Sequence, residues 1–405
     1  LPHVVAGLVT PESIVNPDTM FSGNNINLII DRAERIDTRG KKVHLSDGRE
    51  VSYDKIILST GASPLVPNIE GHDHAGVFTL RSLSDGERIK KHLDDAKPRK
   101  LIFIGSGFIS LEVASLLAAT NRNTYEITVI ELLKSPLPLM IDSDLGSEVS
   151  NYFEEKGIKM LLGRRVDKVL GQNGAVSGVE LDGGDRIDAD MVFMNVGARP
   201  NIELANEIGL DTGKYGIKVN KYLETSSPAI LAGGDCVEKH HFITGRPYLS
   251  MLRGPAVIQG RLAAKRLAGF EIEFPGILNN SACKLFDKSI ASTGLTEEQA
   301  RMEGFDTVSA TVASRSKHGM IPEFKPWTLK LVFDSKTRKL IGGQIISDAE
   351  APVKEIDNIT ALILGGKDIS DLTTLMCAGN PDLSSEPSLE PIAIAGEQAL
   401  QKLRK

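Results

Sequence analysis

The stretch from Leu101 to Glu131 constrains the fold more than any other, because a strand, a glycine turn, a helix and a second strand follow one another there in a chemically interpretable order. Leu101-Ile102-Phe103-Ile104 is a short apolar run of the kind that a strand buried on both faces requires. Gly105-Ser106-Gly107-Phe108-Ile109-Ser110 follows directly. In such a turn the first glycine permits the tight bend and the second lets a pyrophosphate approach the backbone. The third position packs helix against sheet, and here it is Ser110. The pattern from Leu111 to Ala118 predicts a helix whose free N–H groups and positive dipole end face the turn, where a phosphate would sit. Ile127 to Ile130 predicts the next strand, and it ends at Glu131, about 20 residues beyond the glycines, where an acid can bond both ribose hydroxyls and repel a 2′-phosphate. The pattern points to a nicotinamide dinucleotide, NAD rather than NADP, held by Gly105, Gly107, Phe108, Ile109, Ser110 and Glu131. A glycine turn that merely joins a strand to a helix is the competing reading.

With 405 residues the chain has room for two or three domains and several cores. Hydrophobic residues at 41%, charged residues at 25% and a net charge of −6 leave no basic surplus to drive binding of nucleic acid or an anionic membrane. No apolar run reaches the roughly 18 residues of a membrane span, and no secretory signal is visible. Cys236, Cys283 and Cys377 are far apart and form no Cys-x-x-Cys pair, which suits a reducing cytoplasm. The chain opens at Leu1, without methionine, and Leu1 to Gly7 reads as the middle of a domain, so a segment is expected upstream.

Ile26 to Ile30 and Lys42 to Leu45 predict strands, and Ser46-Asp47-Gly48-Arg49 a hairpin turn leading to Val51 and Tyr53 in an antiparallel meander. Lys55 to Ser59 is a further apolar strand ending at Thr60-Gly61-Ala62, which reads equally as a tight exit beside a ligand or as a plain strand end. Gly197, in Gly197-Ala198-Arg199-Pro200-Asn201, closes another strand at its carboxyl end and is a second candidate contact for the dinucleotide. Ile230 to Ala232 leads into Gly233-Gly234-Asp235, where a carboxylate could accept a hydrogen bond from a sugar alcohol or simply cap the loop. Met251 to Leu267 predicts a helix carrying Gln259 and Arg261. Past Pro275, strands at Lys284 to Phe286, Thr307 to Val312, Thr328 to Phe333 and Leu340 to Ile346, with helices at Val353 to Leu364 and Pro391 to Leu403, predict an α+β terminal domain. His240-His241 lacks a third ligand and reads as a solvated loop, so no metal is expected.

Taken in order, Thr60-Gly61-Ala62, Gly105-x-Gly107-x-x-Ser110 with Glu112, Gly197 to Asn201, and Gly233-Gly234-Asp235 resemble the pyridine nucleotide-disulfide oxidoreductases, in the branch of NADH oxidases, NADH peroxidases, coenzyme A disulfide reductases and rubredoxin reductases. The resemblance covers essentially the whole chain. It implies an α/β fold in which an FAD-binding Rossmann-like domain (1–85 and 213–275) is interrupted by an inserted NAD-binding Rossmann-like domain (86–212). An α+β dimerisation domain (276–405) follows. It implies FAD and NADH as cofactors, a homodimer, FAD contacts at Thr60, Gly61, Gly234, Asp235 and Gln259, and Glu112 at the nicotinamide and flavin face.

Departures from the family pattern bear on the chemistry. Relatives open with a glycine motif for the FAD pyrophosphate, and some carry a redox cysteine before a Leu-Pro pair; Leu1-Pro2 begins just after both places. Relatives of the lipoamide dehydrogenase type have His-Pro where this chain has Asn380-Pro381, and asparagine cannot shuttle a proton at neutral pH. Cys377 is either a substitute thiol reaching the partner's flavin or a buried packing residue, and Cys236 and Cys283 read as packing. The resemblance implies hydride transfer from NADH to flavin and then to oxygen, a peroxide, a coenzyme A disulfide or persulfide, or polysulfide. Alternatives are reduction of a small electron-transfer protein such as rubredoxin, and a flavin-free nucleotide-binding scaffold if the chain truly starts at Leu1.

Overall fold

Strand Lys100–Ile104 takes the centre of a five-stranded parallel sheet, in the order Val77–Phe78, Met191–Met194, Lys100–Ile104, Glu126–Glu131, Lys159–Leu162. A central parallel strand is covered on both faces, which is why its sequence is an unbroken apolar run. Leu101 and Phe103 point to the face covered by helices Leu83–Ala96, Phe108–Thr120 and Ser143–Glu155, and Phe103 stacks on Phe193 with centroids 4.3 Å apart. Ile102 and Ile104 face the other way, against Val169, Val179 and Leu181 of a three-stranded antiparallel sheet spanning Val166–Asp188. This computed structural model describes residues 1–120 and 124–404. It divides into two units, one comprising Leu1–Leu8, Val66–Val196 and Leu278–Lys405, the other Val9–Leu65 and Gly197–Ile277.

The first unit also holds the terminal antiparallel sheet, in the order Ser281–Leu285, Lys288–Gly294, Leu340–Ser347, Pro326–Asp334, Thr307–Arg315. Helices Glu355–Leu364 and Pro391–Lys402 pack on it, and Glu355–Leu364 stops where Gly366 turns to φ +64°, as a glycine C-cap requires. Strand Lys288–Gly294 lacks a distinct sequence signal because its Ser-Ile-Ala-Ser-Thr run is only weakly apolar. Asp142, 1% exposed, joins the two sheet systems of this unit: it accepts hydrogen bonds from the N–H groups of Glu297 and Glu298, at 3.1 and 2.9 Å, and from Gln344 Nε2 at 2.6 Å. Lys330 Nζ reaches Asp142 at 3.0 Å, Asp144 at 2.9 Å and Glu297 at 3.4 Å.

In the second unit, strands Ile56–Leu58 and Ile230–Ala232 pair in parallel, so both deliver their following glycine turns to the same edge. Around them Ile36, Leu58, Ile217, Ile230, Cys236 and Val237 form a core, beside the meander Ala33–Asp37, Lys42–Leu45, Glu50–Ser52. Ile26 to Ile30 corrects the sequence expectation: it is irregular, with Ile26 53% and Ile30 84% exposed, and the meander begins only at Ala33. An apolar run becomes a strand when a neighbour takes its hydrogen bonds, and no described strand lies against this one.

Candidate functional site

Gly105 sits at φ +93°, a conformation that side-chain-bearing residues adopt at a cost, and a Cβ there would lie 2.7 Å from the Asn195 carbonyl oxygen. Gly107 has a different reason for being glycine. A Cβ at that position would meet nothing within 4 Å, so the backbone is left open toward solvent at the start of helix Phe108–Thr120, whose first N–H groups have no intrahelical partner. Open backbone donors at a positive helix end fit a phosphate. Phe108 and Ile109 are half-buried in the first turn, and Ser110 is fully buried with its Oγ unpartnered among the described residues.

Glu131 stands at the strand end, 8% exposed, and its carboxylate accepts hydrogen bonds from Ser106 N at 2.7 Å, Ser106 Oγ at 2.8 Å and Leu133 N at 2.9 Å. It therefore braces the glycine turn from the neighbouring strand. A carboxylate has about four acceptor sites, and three of them are taken among the described residues. Asn195, which the sequence reading missed, closes the other side: its Oδ1 accepts from Leu80 N at 3.1 Å and its Nδ2 is buried without a partner among the described residues. A polar residue directly after the apolar strand Met191–Met194 is the signal that could have found it.

Glu112 lies one helical turn beyond the glycine turn and lines a groove of about 730 Å³ together with His3, Tyr125, Lys156, Lys284 and Phe286. Burial pushes its carboxyl up to about 7, against a hydrogen bond from the Lys284 backbone N–H that pulls the other way. At neutral pH such a group is close to half-protonated and can hold or release a proton. Because its folded value lies above the ordinary 4.5, ionising it opposes folding, and the penalty grows as pH rises from 4.5 through about 7. Glu112→Gln is expected to raise the melting temperature by a few degrees at pH 8 and to leave it unchanged at pH 4, as read by thermal melts at both pH values. A lower melting temperature at pH 8 would show that the carboxylate stabilises the groove.

The second unit carries its own converging turns. Gly61, at φ +68°, follows Thr60, and this turn is tied to Asn201 by four hydrogen bonds: Thr60 Oγ1 to Asn201 O at 2.6 Å, Asn201 Nδ2 to Thr60 O at 2.9 Å, Asn201 N to Gly61 O at 3.0 Å, and Ser63 Oγ to Asn201 Oδ1 at 2.7 Å. Strand Ala62–Pro64 pairs antiparallel with Ala198–Pro200, so two motifs far apart in sequence become one corner. Gly197, at φ +128°, starts that second strand's approach. Beside this corner Gly233 N donates to Leu58 O at 3.0 Å, and Gly234, at φ +87°, donates its N–H to Gln259 Oε1 at 2.9 Å. Gln259 is 1% exposed on helix Arg253–Leu267 and faces the turn, whereas Arg261 is exposed. Asp235 follows at the turn's exit. Paired glycine turns at one sheet edge, with backbone close to open space at Gly61, suit a bulky nucleotide.

Two expectations about lone residues are corrected. His241 is 2% exposed rather than solvated, on the hairpin Lys239–His240 with Pro247–Tyr248; burial pushes its imidazole down to about 4, and its Nδ1 accepts from Ile243 N at 3.3 Å. Cys377 is exposed, beside Met376 at 98% exposure, so it does not pack into this chain's own core, whereas Cys236 and Cys283 are buried as expected. Asn380 organises its own loop by accepting from Asp382 N at 3.0 Å.

The family model described as pyridine nucleotide-disulphide oxidoreductase matches residues 3–258, and the corresponding dimerisation domain matches residues 281–389. A Methanocaldococcus jannaschii protein named NADH oxidase is 34% identical over 100% of this chain and 90% of its own length. The Pyrococcus furiosus NAD(P)H sulfur oxidoreductase (CoA-dependent) is 32% identical over 97% of this chain and 87% of its own. Among solved structures, the NAD-dependent persulfide reductase from A. fulgidus superposes with a TM-score of 0.92 at 32% identity, over 99% of this chain and 75% of that one.

Proposed function

The chain belongs to the pyridine nucleotide-disulphide oxidoreductase family, an FAD- and NADH-dependent enzyme family, and on that premise we propose that NADH is its electron donor and that sulfur bonded to sulfur, in a coenzyme A persulfide or polysulfide, is its acceptor. FAD supplies the chemistry of accepting hydride and passing on electrons. The chain's residues bind and orient. In this reading the open backbone at Gly107 and the first turn of Phe108–Thr120 hold the NADH pyrophosphate, while Glu131 takes a ribose hydroxyl and repels a 2′-phosphate. Thr60, Gly61, Gly234, Asp235 and Gln259 form the FAD side, and Glu112 holds a proton near neutral pH.

Glu131 is the observation that carries the choice of donor, since a buried carboxylate beside the ribose is incompatible with a phosphate in the same place. The sulfur acceptor is supported by relatives of similar identity that are named for CoA-dependent sulfur chemistry and by the persulfide reductase structure. Oxygen is the second reading, favoured by the relative named NADH oxidase. The terminal domain is of the dimerisation type, and exposed Met376 and Leu383 beside Cys377 suit a face covered by a second copy. Stopped-flow mixing of yellow purified protein with NADH should bleach the flavin far faster than NADPH does, and coenzyme A persulfide should restore the colour faster than air. Equal rates for the two nucleotides would remove the role given to Glu131; faster reoxidation by air would favour oxygen.

A further inference from the structure

Lys239 is 2% exposed, and its ammonium is fully engaged: Nζ donates to the carbonyl oxygens of Gly234 at 2.7 Å, Ser250 at 3.0 Å and Val237 at 3.3 Å. An ammonium has three donors, so none remains for a ligand. One of the three carbonyls belongs to the peptide whose glycine offers most freedom, Gly234 at φ +87°. That glycine's N–H is already taken by Gln259 Oε1 at 2.9 Å. Both polar groups of a residue in a ligand-facing turn are thus held by buried side chains from outside the turn. The third bond, to Ser250, ties the same turn to the segment leading into helix Arg253–Leu267.

We propose that Lys239 is the positioning residue of the FAD-binding turn, holding the Gly234 carbonyl so that Gly234 and Asp235 keep one conformation toward the cofactor. The proposal rests on the reading of Gly234 and Asp235 as part of the FAD site. Its physical basis is that burying an ammonium is costly to the fold, and the hydrogen bonds it gives to three carbonyl oxygens do no more than offset that cost. A charge kept at that cost acts on something other than stability. Pre-ordering a turn lowers the conformational loss on binding.

The test is FAD titration, by flavin fluorescence, of protein stripped of and refilled with FAD, comparing wild type, Lys239→Met and Lys239→Gln, with thermal melts of the flavin-free forms. Lys239→Met is expected to weaken FAD binding by about tenfold or more, because the released turn must then be ordered when the cofactor binds. Its flavin-free melting temperature should stay close to that of wild type, because removing a desolvated charge offsets the three carbonyl oxygens left without a donor. Lys239→Gln, which keeps hydrogen-bond donors without the charge, should fall between the two and stands in for the methionine variant if that one does not fold. FAD affinity within twofold of wild type in the variants overturns the proposal, as does a loss of affinity accompanied by a matching fall in melting temperature. A wild-type protein that takes up no FAD would instead overturn the reading of the Gly234 and Asp235 turn.

Discussion

Lys330→Ala is expected to lower the melting temperature by roughly 5 °C, the consequence of a loss of about 3–5 kcal/mol when one partner of a buried ionic cluster is removed. The lysine side chain is 5% exposed and lies against Asp142, 1% exposed, with Asp144 and Glu297 completing the cluster. Without the ammonium, Asp142 stays buried as a carboxylate, and among the described residues the Gln344 side chain and the Glu297 and Glu298 N–H groups are left to stabilise it. Burial alone would raise its pKa, but those hydrogen bonds and Lys330 outweigh it and hold the carboxyl below the ordinary 3.8. Its contribution is therefore present above pH 3.8 and is lost as pH falls through the lower folded value. Burial lowers the lysine's affinity for its proton, yet Asp144 and Asp142 together raise it above the ordinary 10.5, so its contribution is complete below that pH and is lost as pH climbs through the folded value. Calorimetry between pH 5 and 9 should show the full difference between wild type and variant. Asp144→Asn is the control: its side chain is 57% exposed, and a change of less than about 1 kcal/mol is expected of a solvated partner. A Lys330→Ala protein that melts like wild type would show that the cluster is balanced by desolvation and contributes nothing.

Gly105→Ala should cut kcat/KM for NADH by on the order of 100-fold, as misplacement of a binding turn by about 1 Å does, while bound flavin keeps its absorbance. The added methyl group meets the Asn195 carbonyl oxygen at 2.7 Å, and the residue must hold φ +93°, so the turn moves. Gly107→Ala separates this effect from ligand exclusion. At Gly107 there is nothing within 4 Å for a methyl group to strike, so the fold and melting temperature should survive, and the KM for NADH should rise because the methyl stands where a pyrophosphate would approach. If Gly107→Ala binds NADH as wild type does, the pyrophosphate is not held at this turn.

Local chemistry made part of this molecule legible. The run from Leu101 to Ile104 declares a buried central strand, since only a strand covered on both faces is apolar at consecutive positions, and the sheet order places it there. The hairpins and the glycine C-cap at Gly366 follow in the same way from residues whose backbone preferences are intrinsic. Where a reading depended on a distant neighbour, it failed or stayed silent. Ile26 to Ile30 has strand composition but no described strand beside it. Cys377 and His241 exchanged surroundings relative to expectation, because burial of a single residue in a loop is decided by what folds over it. Lys239 and Lys330 look like ordinary surface lysines in sequence, and only the carbonyls and carboxylates brought to them from other segments make them structural.

By itself, then, the sequence determined the elements whose cause is local: the strand, turn and helix around Gly105 and Gly107, the acid at Glu131, and the ordered glycine motifs that carry the family resemblance. Tertiary structure alone decided that Glu131 braces Ser106, that Asn201 ties the Thr60 turn to a strand about 140 residues away, and that Lys239 and Gln259 hold the two adjacent peptide groups of Gly234. The reason is physical. Backbone preference and periodicity are properties of neighbouring residues, whereas desolvation and hydrogen-bond geometry depend on which distant segments meet.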